Sequence, residues 1–411
     1  MKIKLGQVLS FIEKSSTVLS ILWLTGGVDT SFLALVAYPT SVFFLLMRWK
    51  ETLWKSMQEL FLWLFLGWTF LSVFWAANFS ASLYMNLKLV GTIIIGLSLG
   101  IRYSLKEQLQ ILAWAFGLAA ILSLFYCLVL PQKGIMAGSL ELEGAWQGIY
   151  SQKNVLGRNM TISSLVFLLQ LMICTRYRWL IWCGLSLSFA LVILSTSKTA
   201  LVVLITLLAL MPLYRALRLS YSLLIPCLSI VVLMAGSLAL LLLSQLDIIF
   251  GSLGKDATLT GRIPLWETVF TKIWERPWLG YGYGGFWLGW EGESADIWRI
   301  EIWEPPHAHN GLIDIWISIG LIGVILAILT FAFTLLRSFW YIRFIEDASG
   351  IWPLWFLTLL FLTNFTESTL DSRSIMWAFY VAIVISTHRK VVEYYTSIFR
   401  YSIKPKLTII N

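Results

Sequence analysis

The sequence predicts an all-α protein that crosses a membrane many times. Of its 411 residues, 58% are hydrophobic and only 13% charged, and the mean hydropathy is +0.80. Apolar runs recur along the whole chain at about the 17–25 residues that a helix needs to span a bilayer. Arginines and lysines gather in alternate loops, the usual mark of membrane orientation. A soluble domain of this length could not cover so much apolar surface.

Taken in order, the runs fall at residues 8–24, 32–47, 60–75, 84–101 and 109–130, then at 155–174, 180–194, 199–213 and 222–243. Three more close the chain, at residues 312–336, 351–363 and 375–387. That makes about twelve transmembrane helices. The runs at 199–213 and 351–363 are short for a full span, so a tilted, interfacial or re-entrant path is expected there. The chain thus divides into helices 1–9 (residues 1–245), an outward loop (246–309), helices 10–12 (310–390) and a tail (391–411).

Orientation follows from the loops. Arg48, Lys50 and Lys55, then Arg102 with Lys106, Arg176 with Arg178, Arg215 with Arg218, and Arg337 with Arg343 all fall on one side of a twelve-helix chain. His388, Arg389, Lys390, Arg400, Lys404 and Lys406 in the tail fall there too. The positive-inside rule makes that side cytoplasmic, with both termini on it. The net charge of +8 is therefore a topology signal, and the absence of a contiguous basic groove argues against nucleic-acid binding. No cleavable signal peptide is expected, because residues 1–14 are charged and the first apolar run has no small-residue cleavage site. Cys127, Cys174, Cys183 and Cys227 form no C-x-x-C pair, so neither a metal cluster nor a disulfide frame is expected.

The outward loop carries recognisable elements. Residues 251–260 are rich in Gly, Ser and Thr and read as flexible. Leu265, Trp266, Val269, Phe270, Ile273 and Trp274 then repeat at helical spacing, with Pro264 suited to a first turn and Pro277 ending the pattern. An amphipathic helix over 264–275 is expected, either lying on the membrane or packed over the bundle as a lid. The GYGYGG run at 280–285 follows no strand and opens no helix, so it is read as tight turns and not as a nucleotide site. Trp278, Tyr281, Tyr283, Trp287, Trp290, Trp298 and Trp303 surround it. Such rings suit a membrane interface and equally the apolar faces of sugars.

The segment PPHAHN at 305–310 holds two of the three histidines, where the loop meets an apolar helix. Imidazole exchanges protons near neutral pH, so His309 or His307 is a candidate general base. Asn310 suits a helix N-cap. Cations collect on the same outward side: Lys88, Lys153 and Arg158 in SQKNVLGRN, Lys198 in STSKTA, Arg262, and Arg373 beside Glu367 and Asp371. Ionisable residues near a membrane are costly and are functional candidates by default. As a set, with few matching acids, they point to the phosphates of a lipid. A lipid diphosphate carrying a sugar already holds its leaving group, which cations would stabilise. A metal held by His307, His309 and either Asp314 or Glu304 is the competing reading, but H-x-H alone is a frequent accident. No metal and no cofactor is expected.

Five segments resemble the O-antigen ligase and polymerase superfamily, and within it the exopolysaccharide polymerases of the ExoQ type. They are SQKNVLGRNM (151–160), LSTSKTA (194–200), TGRIPLWETVFTKIWERPWLGYGYGGFW (260–287), PPHAHNGLIDIWISIGLIG (305–323) and TESTLD (366–371). The resemblance implies a GT-C-like membrane glycosyltransferase that needs neither metal nor nucleotide. It would act on undecaprenyl-diphosphate-linked oligosaccharides at the periplasmic face of the bacterial inner membrane. The family's histidine before asparagine falls on His309, and its diphosphate-binding cations fall on Arg262 and Lys198. Lys198 replaces the ligases' usual arginine, keeping the charge without the two-pronged geometry. Gln152 stands where many relatives have histidine.

The resulting expectation is an inverting polymerase of lipid-linked repeat units. His309, Arg262 and Lys198 would be catalytic, and Lys153, Asn154, Arg158, His307, Asn310, Glu367 and Arg373 would bind substrate. Its partners would be the bilayer, the lipid-linked glycans, a flippase, and chain-length or export proteins. The alternatives are a ligase passing the glycan to lipid A core or to protein, and a transporter such as a bicarbonate-uptake protein. A transporter should show broken helices and paired polar groups at mid-membrane, whereas these charges crowd one face.

Overall fold

The computed structural model describes residues 2–27, 31–136, 144–219, 262–301, 303–365, 367–368 and 374–388. Among them the chain is helical, with a single isolated bridge between Ile135 and Trp146. The first helices are α1 (Lys2–Leu24), α2 (Ser31–Leu46), α3 (Trp49–Met57), α4 (Leu60–Leu71), α5 (Phe79–Arg102), α6 (Leu105–Val129) and the short α7 (Pro131–Gly134). Next come α8 (Lys153–Ile173), α9 (Arg178–Leu194), α10 (Lys198–Ala209) and α11 (Met211–Ala216). The second half holds α12 (Arg262–Glu275), α13 (Ala295–Ile300), α14 (Gly311–Phe344), α15 (Trp352–Asn364) and α16 (Ile375–His388).

Eleven of the twelve expected spans fall on these helices, and the twelfth, at 222–243, lies outside the described residues. Among the described residues five helices, counting α10 and α11 as one, are long and apolar enough to cross a membrane, or six if α3 and α4 count as one span bent by 91°. The remaining apolar helices, such as Arg178–Leu194 and Ile375–His388, are shorter.

α16 is the axis of the bundle. Every residue from Ile375 to Ile385 is buried. Phe379 meets Phe116 of α6 and Trp352 and Phe356 of α15 in edge-on ring contacts. α5 approaches α16 through Gly96 and Gly100, one turn apart. A Cβ on Gly96 would lie 2.6 Å from the Ala378 carbonyl oxygen, and one on Gly100 would lie 2.8 Å from that of Ala382. Glycine at this spacing lets two backbones touch, which replaces the missing hydrophobic force between helices in lipid.

Local rules explain several helix starts. The Asn78 side chain accepts from the Ala81 N–H, Ser104 and Glu107 form a capping box, and the Asn310 side chain accepts from Leu312 and Ile313 N–H. At the other end of α14, two expected topology cations have firm partners. Arg337 donates to both oxygens of buried Glu59 at 2.6 and 2.8 Å, and the His388 ring lies 2.8 Å from the same carboxylate. Arg102 clasps Glu13 at 2.5 and 2.7 Å.

The segment from Arg262 onward folds onto α14. Leu265, Val269 and Ile273 form the buried stripe of α12 and pack with Tyr281, Phe286, Ile297, Ala308, Ile313 and Ile317 in a second core. Of the two placements the sequence allows for this helix, the structure has it packed over the bundle. It begins at Arg262, two residues before the expected start. The 251–260 stretch lies outside the described residues.

α14 is broken, which its unbroken apolar sequence gives no sign of. Ile319 and Gly320 leave the helical region, with φ values of −129° and +73°. The freed backbone groups are taken by protein. Leu321 N–H donates to the Pro277 carbonyl, Tyr281 N–H donates to the Ile317 carbonyl, and the Trp68 indole N–H donates to the Ile319 carbonyl, each at 2.9 Å. Non-helical backbone at membrane depth persists only where such partners exist.

Candidate functional site

Five element ends meet on the side of the bundle where α14 begins. They are the starts of α8, α10, α12 and α14 and the segment after α15. At their centre is Glu367, whose two oxygens serve different partners. Oε1 accepts from Asn154 Nδ2 at 3.3 Å and lies 3.9 Å from Arg262 Nη2. Oε2 lies 3.7 Å from His309 Nδ1. Ser197, the N-cap of α10, extends the chain by donating to Asn154 Oδ1 at 3.0 Å. Burial alone would raise the Glu367 pKa, but His309, His307 and Arg262 outweigh it and hold the carboxyl below its ordinary range.

The two histidines differ in their surroundings. Their rings stand 4.1 Å apart, and His307 Nδ1 accepts the His309 backbone N–H at 3.1 Å. Burial, and after it the charge of His309, push the His307 imidazole down to about 4. His307 is thus neutral at physiological pH. Among the described residues, neither ring nitrogen of His309 has a hydrogen-bond partner although both are buried. Trp303 leans on the His309 ring at 5.4 Å.

His309 sits in the left-handed region at φ +52°. That conformation costs a non-glycine residue roughly 1–2 kcal/mol. The preceding residue is clamped to hold it. Ala308 is fully buried. Its N–H reaches the Asp314 oxygens at 3.0 and 3.2 Å, and its carbonyl accepts the Trp266 indole N–H at 2.8 Å.

A cavity of about 530 Å³ opens beside this cluster. That is within the size range of small-ligand sites, about 300–1,000 Å³. Its polar wall includes Asn154, Arg158, Ser197, His307 and Glu367, and its apolar wall includes Phe65, Ile315, Leu359 and Trp377. Such a two-sided lining fits an amphiphile better than a free sugar or ion.

Not every expected site residue joins the cluster. Arg262, His307, His309, Asn154 and Glu367 do, and Arg158 lines the cavity. Lys153 is half-buried at the start of α8, next to Asn154. Lys198 opens α10 and is exposed, while Ser197 and Thr199 on either side of it line the cavity. Asn310 spends its side-chain oxygen on the α14 cap. Lys88 lies over the Tyr84 ring at 4.0 Å. Arg373 and Asp371 lie outside the described residues.

The third donor beside the histidine pair is Glu367, not Asp314 or Glu304. His307, His309 and Glu367 place donor atoms within 4.8 Å of one another. Asp314 is instead occupied by Ala308, Trp287 and Ser368, and Glu304 accepts from the Trp290 indole. A cation would be poorly received at these three groups. Arg262 already shares Glu367, and the charges of Arg262 and Arg158 both bear on His307. Sequence reasoning ranked Glu367 below Arg262 and Lys198, level with Lys153, Arg158 and Arg373, and did not single out Ser197 or Ser368. The place of Glu367 beside Asp371 and Arg373 in the stretch TESTLDSR was the available signal.

A family model described as O-antigen ligase matches residues 183–328. The match contains Lys198, Arg262, His307 and His309, and leaves out Asn154, Arg158 and Glu367. Over 94 residues the chain is 34% identical to "Exopolysaccharide production protein ExoQ" of Rhizobium meliloti (strain 1021). That stretch covers 22% of this chain and 22% of that protein. These matches support a likeness to the O-antigen ligase and polymerase superfamily, on the ExoQ side of it.

Proposed function

We propose that the protein is a membrane glycosyltransferase that polymerises lipid-diphosphate-linked oligosaccharides into a surface or exported polysaccharide. The observation that carries this reading is His309. Its ring lies beside Glu367, a carboxylate that Arg262 shares and that lines a cavity with polar and apolar walls.

With Nδ1 turned to Glu367, Nε2 takes the proton of the acceptor hydroxyl. The hydroxyl oxygen bonds to the anomeric carbon as the bond from that carbon to the diphosphate oxygen breaks. The electron pair leaves with the diphosphate, where Arg262 and Lys198 stabilise it, and the Glu367 anion stabilises the imidazolium. Attack opposite the leaving group inverts the anomeric centre. Asn154, Arg158 and Lys153 would hold the phosphates or the first sugar. No metal enters this scheme. The chain would lie in the bacterial inner membrane with about twelve spans, both termini in the cytoplasm and the site facing the periplasm. Undecaprenyl diphosphate is the expected carrier, with a flippase upstream and export or chain-length proteins downstream. A ligase delivering the glycan to lipid A core or protein would share every step and differ in the acceptor.

One observation favours a transporter instead, the broken helix at Ile319–Gly320. Transporters leave such carbonyls open for ions. Here the Ile317 and Ile319 carbonyls are taken by Tyr281 and Trp68.

The test uses the purified full chain, a synthetic polyprenyl-diphosphate oligosaccharide and a chelator, with products read by mass spectrometry. Lengthened lipid-linked chains are expected. His309→Ala should lower the rate by about 10²–10⁴, the usual worth of a general base. Absence of growth, or growth unaffected by His309→Ala, would overturn the proposal.

A further inference from the structure

Asp314 lies in the first turn of α14, and its carboxylate joins three separate segments. From the histidine loop, Ala308 N–H donates to Oδ1 at 3.0 Å and Oδ2 at 3.2 Å. From the outward loop, the Trp287 indole N–H donates to Oδ1 at 2.8 Å. From the segment after α15, the Ser368 hydroxyl donates to Oδ2. Ala308 is the residue between the two imidazoles, and Ser368 is the neighbour of Glu367. One side chain therefore ties down both arms of the His309–Glu367 pair, 58 residues apart in the chain.

We propose that Asp314 is a positioning residue that fixes the distance and angle between the His309 imidazole and the Glu367 carboxylate. The proposal rests on the reading of these two as the proton-accepting pair. Neither arm is rigid alone. His309 is in a left-handed backbone conformation that the chain does not favour, and Glu367 lies beyond the end of α15. Anchoring to the first turn of a capped helix gives each arm a fixed reference. Charge is not what the geometry requires, only acceptors at two positions. An asparagine supplies one acceptor for Ala308 and Trp287, and its amide can donate to the Ser368 hydroxyl, which both gives and accepts.

The test combines turnover with a readout that does not depend on it. The chain has three histidines, so ¹⁵N-histidine labelling gives three ring spectra, assignable with single His→Gln variants. Asp314→Ala should shift the His309 ring signals and lower kcat by up to roughly 10²-fold, the cost of misplacing a reacting group by about 1 Å, with KM little changed. Asp314→Asn should restore both. Ser368→Ala, which releases only the Glu367 arm, should also shift His309. This variant also keeps the proposal testable if Asp314→Ala does not fold. Unmoved His309 signals in Asp314→Ala or Ser368→Ala would overturn the inference. So would an Asp314→Asn protein as impaired as the alanine variant. A wild-type chain without polymerase activity defeats the functional reading only, and the ring spectra still decide the role of Asp314.

Discussion

His309 Nδ1 lies 3.7 Å from Glu367 Oε2, while the other oxygen of the same carboxylate is 3.9 Å from Arg262. One acid thus stands between the group proposed to gain a proton and the group proposed to face the departing phosphate. The separation exceeds a hydrogen bond, so in the proposed reaction Glu367 would act on the imidazolium through its charge. Glu367→Gln keeps the shape and removes the charge. It should lower kcat at least about tenfold, because the imidazolium then forms without its counter-ion. Steady-state kinetics on the lipid-linked substrate checks this, and kcat within twofold of wild type would exclude a charge role for Glu367.

The cations are not equal. Arg262 is inside the cluster and desolvated by burial, whereas Lys198 is exposed at the start of α10. A preorganised donor at a leaving group is worth about 10²–10³ in rate, and an exposed charge pair is usually worth under about 1 kcal/mol. Arg262→Ala should therefore cost roughly 10²-fold or more, and Lys198→Ala less than about tenfold. Comparable losses in both, measured side by side, would show that Lys198 turns inward when substrate is present.

The contrast shows what the sequence can and cannot reveal. Hydrophobic runs mark spans directly, so the helices were legible with small boundary errors. PPHAHN was legible because two histidines stand out in an apolar chain. Glu367 and Asp314 owe their importance to partners 58 residues and 54 residues away, Glu367 to His309 and Asp314 to Ser368, and no local pattern encodes those contacts. The break at Gly320 was hidden for another reason. ISIGLIG reads as continuous helix, and only the docking of Pro277–Tyr281 shows why glycine stands there. Lys198 opens α10 with its side chain exposed, and charge and chain position say nothing of the direction in which a side chain leaves a helix end.

His307 makes a prediction about acid stability. Its pKa falls from 6.5 to about 4 through burial and the charge of His309, so the folded protein binds this proton less readily than the unfolded chain. Stability from the neutral ring is complete above pH 6.5 and is lost as pH falls toward 4. Glu367, with its pKa lowered from 4.5, contributes its own acid loss only below that value. The window from 6.5 to 4.5 lies above that loss, and comparison with His307→Gln separates the His307 share from the other groups that titrate there. Thermal unfolding midpoints of the detergent-solubilised protein should fall across this window, and less steeply in His307→Gln. Parallel slopes in the two proteins would rule out a buried neutral imidazole.

Gly320 joins the Pro277–Tyr281 turn to the middle of α14. Its φ of +73° is open to glycine, and a Cβ there would stand 1.9 Å from the Trp278 carbonyl oxygen. Alanine could be housed only by pushing the Pro277–Tyr281 turn away or by straightening α14. Straightening would restore the bond from Leu321 N–H to the Ile317 carbonyl, at the expense of those to Pro277 and from Tyr281. Either route loosens the second core, which includes Tyr281 and Ile317 together with Ala308 at the histidine loop. Gly320→Ala should thus raise amide exchange in residues 277–281 and lower activity together, although it lies far along α14 from His309. Overpacking of this kind typically costs about 1–3 kcal/mol. Hydrogen-exchange mass spectrometry is the direct measurement, and unchanged protection of residues 277–281 in Gly320→Ala would show that the turn does not depend on the break.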